Sequence, residues 1–288
     1  MDPGRGQDGD VRGKENPYPG WWRGRRQNVF ALANKAWRGA RLNKAVDAVL
    51  THLPPAAKRW VDRRRTALRV WAGWTVLPPE ELARAYQECL ALLERRLGRD
   101  RIGDYVEFGV FYGTSLLAMQ QMSADAGLAR IRLFGFDSFE GLPESAEAES
   151  EGIWRPGEFQ ASLRGARRHM TARGADWDRI TLVPGWFEDT LTPATAERLG
   201  LEKASVIMVD CDLYSSAVAS LRFAEPLIHD EAVVLFDDWH AGGLASRNEG
   251  ERRAFEELLA RTPDLEVVGE LEPYSDTSAV FHVRRCAA

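Results

Sequence analysis

Cysteine is scarce in this 288-residue chain: Cys89, Cys211 and Cys286 stand far apart, with no C-x-x-C spacing. That excludes a disulfide framework and a thiolate zinc site, and fits a reducing, cytoplasmic setting. Long apolar runs are absent. No stretch of about 18 consecutive apolar residues occurs, so no membrane-spanning helix is expected. The G-x-G-x-x-G spacing is missing too, which weakens a dinucleotide-binding reading. Residues 1–19 lack the apolar core of a secretory signal and are rich in glycine and charge, so they read as a disordered tail. There are no internal repeats.

What is present is enough for a packed core: 44% of residues are hydrophobic. Charge is unevenly spread. Residues 1–70 hold 16 Lys and Arg against 6 Asp and Glu, although the whole chain has a net charge of −5. A basic arm on an acidic body implies different tasks for the two parts. The acidic body argues against a nucleic-acid enzyme, whose binding face must attract phosphates. Within the arm, residues 20–79, apolar positions from Val29 to Val49 recur at helical spacing until Pro54-Pro55 breaks the pattern. A second basic stretch, Lys58 to Arg69, follows. The arm reads as a lid or an oligomerisation element. Docking an acidic carrier protein or an anionic membrane surface is an alternative use. Pro78-Pro79 then opens a helix over Glu80–Leu97, with Leu82, Tyr86, Cys89, Leu90, Leu93 and Leu97 on one side.

From about residue 104, short apolar runs alternate with helical patterns. Strands are expected at Tyr105–Val110, Ile131–Phe136, Ile180–Val183, Val206–Val209, Ala232–Phe236, Leu265–Gly269 and Ala279–Val283, with helices such as Ser115–Ala126 and Phe159–Arg173 between the early ones. Such alternation predicts an α/β fold, a doubly wound, Rossmann-like parallel sheet covered on both faces. The last two runs are close enough to form an antiparallel hairpin.

Ligands of doubly wound sheets bind at the carboxyl ends of the strands, so the chemistry is sought there. The first strand runs into Glu107-Phe108-Gly109, then Gly113-Thr114-Ser115. Glycines at this turn let backbone approach a ligand, and the acid before them suits a cationic amine; two glycines in a loop also have a purely structural reading. The second strand ends in Asp137-Ser138, where a carboxylate can grip a ribose diol or merely cap a turn. The third ends in Gly185-Trp186-Phe187, whose rings could stack on a base or fill the core. The fourth and fifth end in Asp210-Cys211-Asp212 and Asp237-Asp238-Trp239-His240. Four carboxylates after deeply apolar runs repel one another unless a cation lies between them. Oxygen ligands favour a hard divalent ion such as Mg²⁺. One of the aspartates could equally be a helix cap.

Together, Glu107–Val110, Phe136–Pro143, Gly185–Leu191, Asp210–Ser216 and Asp237–Trp239 resemble the motifs of the macrocin O-methyltransferase family. Its relatives act on macrolide sugars such as that of mycinamicin and on the sugar of novobiocin. The resemblance covers about residues 80–285. It implies a class I methyltransferase sheet ending in a hairpin, S-adenosylmethionine bound at the ends of strands one to three, and Mg²⁺. Carried over by position, Glu107, Gly109 and Asp137 contact the cofactor, and Asp210, Asp237 and Asp238 ligate the metal, as in catechol O-methyltransferases. Asp212 then either stands behind them or reaches the metal through a water. The expected reaction is O-methylation of a small-molecule hydroxyl in antibiotic biosynthesis, with Asp210 or His240 as proton acceptor. The alternative is a metal-dependent glycosyltransferase using Asp210-Cys211-Asp212 as a D-x-D motif.

Overall fold

The computed structural model describes residues 55–71, 77 and 79–286. The expected tail over residues 1–19 and the helix between Val29 and Val49 lie outside the described residues. The basic stretch after Pro54-Pro55 is helix α1 (Pro55–Trp71), and α2 spans Pro79–Leu97. Pro79 opens α2 at the position where its missing N–H costs nothing. Glu80 and Glu81 then face the positive end of the helix dipole, and Arg95 and Arg96 the negative end.

The body follows as β1 (Asp104–Phe108), α3 (Thr114–Asp125), β2 (Leu133–Asp137), α4 (Ala146–Glu149), α5 (Leu163–Thr171) and β3 (Ile180–Pro184). Then come α6 (Phe187–Thr190), α7 (Pro193–Leu199), β4 (Ala204–Val209), α8 (Tyr214–Ala224), β5 (Glu231–Phe236), α9 (Gly250–Arg261), β6 (Leu265–Leu271) and β7 (Ala279–Arg285). Strand ends fall within about two residues of the sequence expectation, a normal margin for such boundaries. The helix expected over Phe159–Arg173 instead starts at Leu163, because the Ser162 side chain accepts from Gly165 N–H and caps it there.

The seven strands form one sheet in the order β3-β2-β1-β4-β5-β7-β6. β1 to β5 run parallel, and β7 is antiparallel to both neighbours. β4 and β5 are buried at every position, as central strands covered on both faces must be. One core layer joins α2, α3 and α5 to the sheet, and another joins α8 and α9 to its opposite face. Because β1 to β5 are parallel, the loops that leave β1, β2, β4 and β5 all emerge at the same end of the sheet. There the loops after β1 and β4 touch. A Cβ on Gly109, whose φ is 91°, would lie 1.6 Å from the Asp210 carbonyl oxygen, so only glycine fits.

Candidate active site

Those strand ends surround a cavity of about 660 Å³. Its wall includes Gly109, Thr114, Ser115, Asp137, Ser138, Trp186 and Phe187 from the first three strand ends, and Asp210, Asp212, Asp237 and Asp238 from the next two. The sequence reading named all of these as candidates or neighbours. Val70 of α1 and Leu77 also reach the wall, and Val70 packs with Tyr112 and Ala161.

Asp137 organises the first loop. Its Oδ2 accepts from Val110 N–H at 2.7 Å and Phe111 N–H at 2.8 Å, and its Oδ1 accepts from Phe139 N–H at 2.6 Å. Gly185 N–H in turn donates to the Asp137 carbonyl. Three donors on one carboxylate leave it one favourable lone-pair direction for a ligand hydroxyl. Phe187 lines the cavity and packs edge-on against Phe108.

Glu107 is placed differently from the expectation. It is fully buried and does not line the cavity. Tyr105 Oη donates to its Oε2 at 2.6 Å and Ser115 Oγ to its Oε1 at 2.5 Å, while Tyr86 Oη lies 2.7 Å from Tyr105 Oη. Burial pushes its carboxyl up to about 8. It thus supports the loop from beneath, and Ser115 is the side chain between it and the cavity. Gly113 and Gly185 shape their turns with positive φ but are likewise absent from the wall. His240 is exposed and also outside it; its backbone N–H donates to the Thr277 carbonyl. That geometry removes the reason for choosing its ring as the proton acceptor.

The acids at β4 and β5 converge. Asp210, Asp237 and Asp238 each offer a carboxylate oxygen, and the three oxygens lie within 4.8 Å of one another. Two residues that sequence reasoning had not assigned to the site hold the pair in place. Tyr274, in the β6–β7 turn, donates to Asp237 Oδ1 at 2.8 Å. Glu251, in the first turn of α9, accepts from Asp238 N–H at 3.0 Å. Tyr274 stood in a turn with nothing to mark it, and Glu251 read as one more acid at a helix start. Asp238 Oδ2 and Glu251 Oε1 are buried without a hydrogen-bond partner. Orphaned, acceptor-only oxygens beside a converging triad fit a hard cation.

The electrostatics agree. Burial, then Asp237 and other acids, raises the Asp210 carboxyl well above the usual range; burial and Asp212 do the same for Asp238. Asp212 is pushed up to about 7 and Asp237 to about 6, mainly by burial. Without a cation, the folded state therefore binds more protons than the unfolded one between about pH 4 and 7, so stability falls as pH rises through that window. We expect the Tm of chelator-treated protein to drop between about pH 4 and 7, and millimolar Mg²⁺ to recover most of the loss at the alkaline end. An Asp237→Asn variant with the same pH profile as wild type would contradict this assignment.

A sheet with this strand order, a glycine turn after β1 and acids after β4 and β5 defines the class I S-adenosylmethionine-dependent methyltransferase fold. Within that class, the chain belongs to the macrocin-O-methyltransferase (TylF) family, whose model matches residues 77–260. Over 144 residues it is 33% identical to the tetracenomycin rhamnosyl 4'-O-methyltransferase of Streptomyces olivaceus, covering 48% of this chain and 53% of that protein. Over 145 residues it is 26% identical to the mycinamicin III 3''-O-methyltransferase of Micromonospora griseorubida, covering 48% and 55%. The matches thus span about half the length of these relatives. Among solved structures, the O-methyltransferase NovP superposes with a TM-score of 0.58 at 21% identity, over 72% of this chain and 81% of its own. The calicheamicin methyltransferase CalS11 superposes with a TM-score of 0.52 at 21% identity, over 98% of each chain. No helix among the described residues is long and apolar enough to cross a membrane.

Proposed function

We propose that this chain transfers a methyl group from S-adenosylmethionine to a sugar hydroxyl of a small-molecule natural product, with Mg²⁺ or a similar cation held by Asp210, Asp237 and Asp238. The observation that carries the reading is the convergence of those three carboxylate oxygens within 4.8 Å on the wall of the cavity that the β1–β3 loops also line. One related enzyme is named for methylating a rhamnosyl-bearing tetracenomycin at position 4'.

In this reading the backbone at Gly109 and the side chains of Thr114, Ser115, Asp137 and Ser138 seat the donor. Trp186 and Phe187 flank its base. A divalent cation at the acid cluster would act as a Lewis acid, lowering the pKa of the acceptor hydroxyl. Asp210, on the cavity wall at the end of β4, takes the hydroxyl proton. Holding acceptor and methyl in line contributes much of the acceleration, up to roughly 7–11 kcal/mol in favourable cases. Helix α1 closes the cavity from the N-terminal side through Val70. The D-x-D glycosyltransferase reading gains no support, because it leaves the β1 and β2 loops without a task.

The test is calorimetric titration with S-adenosylhomocysteine, with and without Mg²⁺, followed by incubation with S-adenosylmethionine and a panel of glycosides. Micromolar binding and a mass gain of one methylene, lost in excess chelator, are expected. Undetectable S-adenosylhomocysteine binding overturns the methyltransferase reading; full turnover in chelator overturns the cation.

A further inference from the structure

A line of side-chain oxygens runs from the core to the cavity. Tyr86 Oη on α2 lies 2.7 Å from Tyr105 Oη, Tyr105 Oη lies 2.6 Å from Glu107 Oε2, and Glu107 Oε1 lies 2.5 Å from Ser115 Oγ. Tyr86, Tyr105 and Glu107 are fully buried, and of these four residues Ser115 is the one that lines the cavity. The number of hydrogens decides what the line can do. With Glu107 ionised, three hydroxyl hydrogens serve three contacts, and Ser115 uses its own on Glu107. It then offers the cavity only lone pairs. With Glu107 neutral, four hydrogens serve the same three contacts. Tyr86 donates to Tyr105, Tyr105 to Glu107 Oε2, and the Glu107 O–H to Ser115 Oγ. The hydrogen left over is that of Ser115, and it is free to point into the cavity. Running the line the other way would turn the Tyr86 hydrogen away from its partner and into the core, the costlier arrangement.

The surroundings favour the neutral form. Glu107 is dry, and Asp137 at the end of β2 and Asp210 at the end of β4 act on it through space as like charges. Burial, the largest cause, pushes its carboxyl up to about 8 even against the bonds from Ser115 and Tyr105. Burial also holds Tyr86 and Tyr105, with Cys89 and Tyr274 beyond them, well above neutral, so all four stay uncharged. The face that Ser115 presents suits an anion. Thr114 and Ser115 open the 12-residue α3, and both line the cavity. Their N-cap is Gly113, which has no side chain to accept from the first turn. The N–H groups of a first turn have no partner within the helix, and the dipole is positive there. S-adenosylmethionine brings a matching group, the carboxylate of its methionine part.

We propose, resting on the methyltransferase reading above, that Glu107 is a positioning residue that works as a neutral acid: its O–H donates to Ser115 Oγ, and the Ser115 hydroxyl donates to the donor's carboxylate on the first turn of α3. The acid after β1 thus serves the anionic end of the donor and not its ammonium. Ionisation of Glu107 turns the Ser115 hydrogen inward and sets lone pairs and a buried charge against that carboxylate. Donor binding therefore weakens as pH rises through the Glu107 range, and binding there takes up a proton.

The experiment is calorimetric titration of S-adenosylhomocysteine, which carries the same carboxylate, into wild type, Glu107→Gln and Ser115→Ala at saturating Mg²⁺ from about pH 7 to about pH 9.5. Comparison at each pH cancels the ligand's own amine, and thermal melts certify folding. Wild-type affinity should fall over the range roughly 10-fold more than that of Glu107→Gln, whose NH₂ donates to Ser115 at every pH. Ser115→Ala should bind roughly 10-fold more weakly than wild type at the acidic end and lose most of the pH dependence. Heats in buffers of different ionisation enthalpy should show more proton uptake near the Glu107 range in wild type than in either variant. Parallel profiles in wild type and Glu107→Gln, undiminished affinity in Ser115→Ala, or equal proton uptake in wild type and a folded variant overturns the proposal. So does a wild-type affinity that rises with pH relative to Glu107→Gln, which would make the carboxylate the ammonium's partner. Undetectable binding by wild type at every pH strikes the methyltransferase reading instead.

Discussion

Asp237→Asn should lose at least about 10³-fold in turnover, roughly 4 kcal/mol of transition-state stabilisation, while remaining folded and still binding S-adenosylhomocysteine. The side chain keeps its shape, so Tyr274 Oη can still donate to its oxygen, as it does to Asp237 Oδ1 at 2.8 Å. What disappears is one of three converging anionic oxygens. A neutral amide ligates a hard cation far more weakly than a carboxylate does. The same change relieves repulsion among Asp210, Asp212 and Asp238, so the cation-free variant should melt above cation-free wild type near neutral pH. Inactivation together with a raised Tm separates loss of the cation site from loss of the fold. Steady-state kinetics and thermal melts on the same preparation provide the check. Turnover within about tenfold of wild type would mean that the cluster does not serve the reaction.

Asp137→Ala should fail in a different way, through the architecture of the donor site. The Asp137 carboxylate takes three backbone N–H groups: Val110, Phe111 and Phe139. Removing it leaves donors in a largely dry loop, each costing on the order of 1–3 kcal/mol if it finds no water. Loss of the bond to Phe111 N–H also frees a residue held at φ 52°, and Phe139 at φ 55° loses its partner as well. We expect a net loss of about 3 kcal/mol of stability and at least about 100-fold weaker S-adenosylhomocysteine binding, seen by denaturant melts and calorimetry. Asp137→Asn should fall between, because its carbonyl oxygen keeps one acceptor edge while its NH₂ group turns a donor toward a backbone donor. Wild-type affinity in the alanine variant would show that the loop keeps its form without the latch.

The sheet was legible because its strands obey the simplest rule: β4 and β5 carry the unbroken apolar runs Val206–Val209 and Ala232–Phe236, as covered parallel strands require. The acids were legible for the same reason. An aspartate directly after such a run can only emerge at a strand end, so Asp210, Asp237 and Asp238 could be placed before any coordinates. Glu107 marks the limit. Its place at the end of β1 was readable, but its burial beneath Ser115 depends on Tyr105, which points the same way two residues earlier, and on Ser115 eight residues later. His240 marks another: nearness in sequence to Asp238 says nothing about which side of a turn a ring leaves from. Glu251 and Tyr274 were out of reach because their partners lie 13 and 37 residues away.

The place of β7 in the sheet has a consequence for how the protein is made. β7 is synthesised after β6, yet it lies between β5 and β6. While the ribosome is still working, β5 presents an apolar edge with unpaired N–H and C=O groups, and β6 has nowhere to dock. The hairpin must then enter as a unit, bringing Tyr274 to Asp237 at the same moment. A nascent chain stalled before residue 279 would carry every acid of the cluster and none of the strand that seals them. Such a chain would be a target for holding chaperones and, at high expression, a seed for edge-to-edge association.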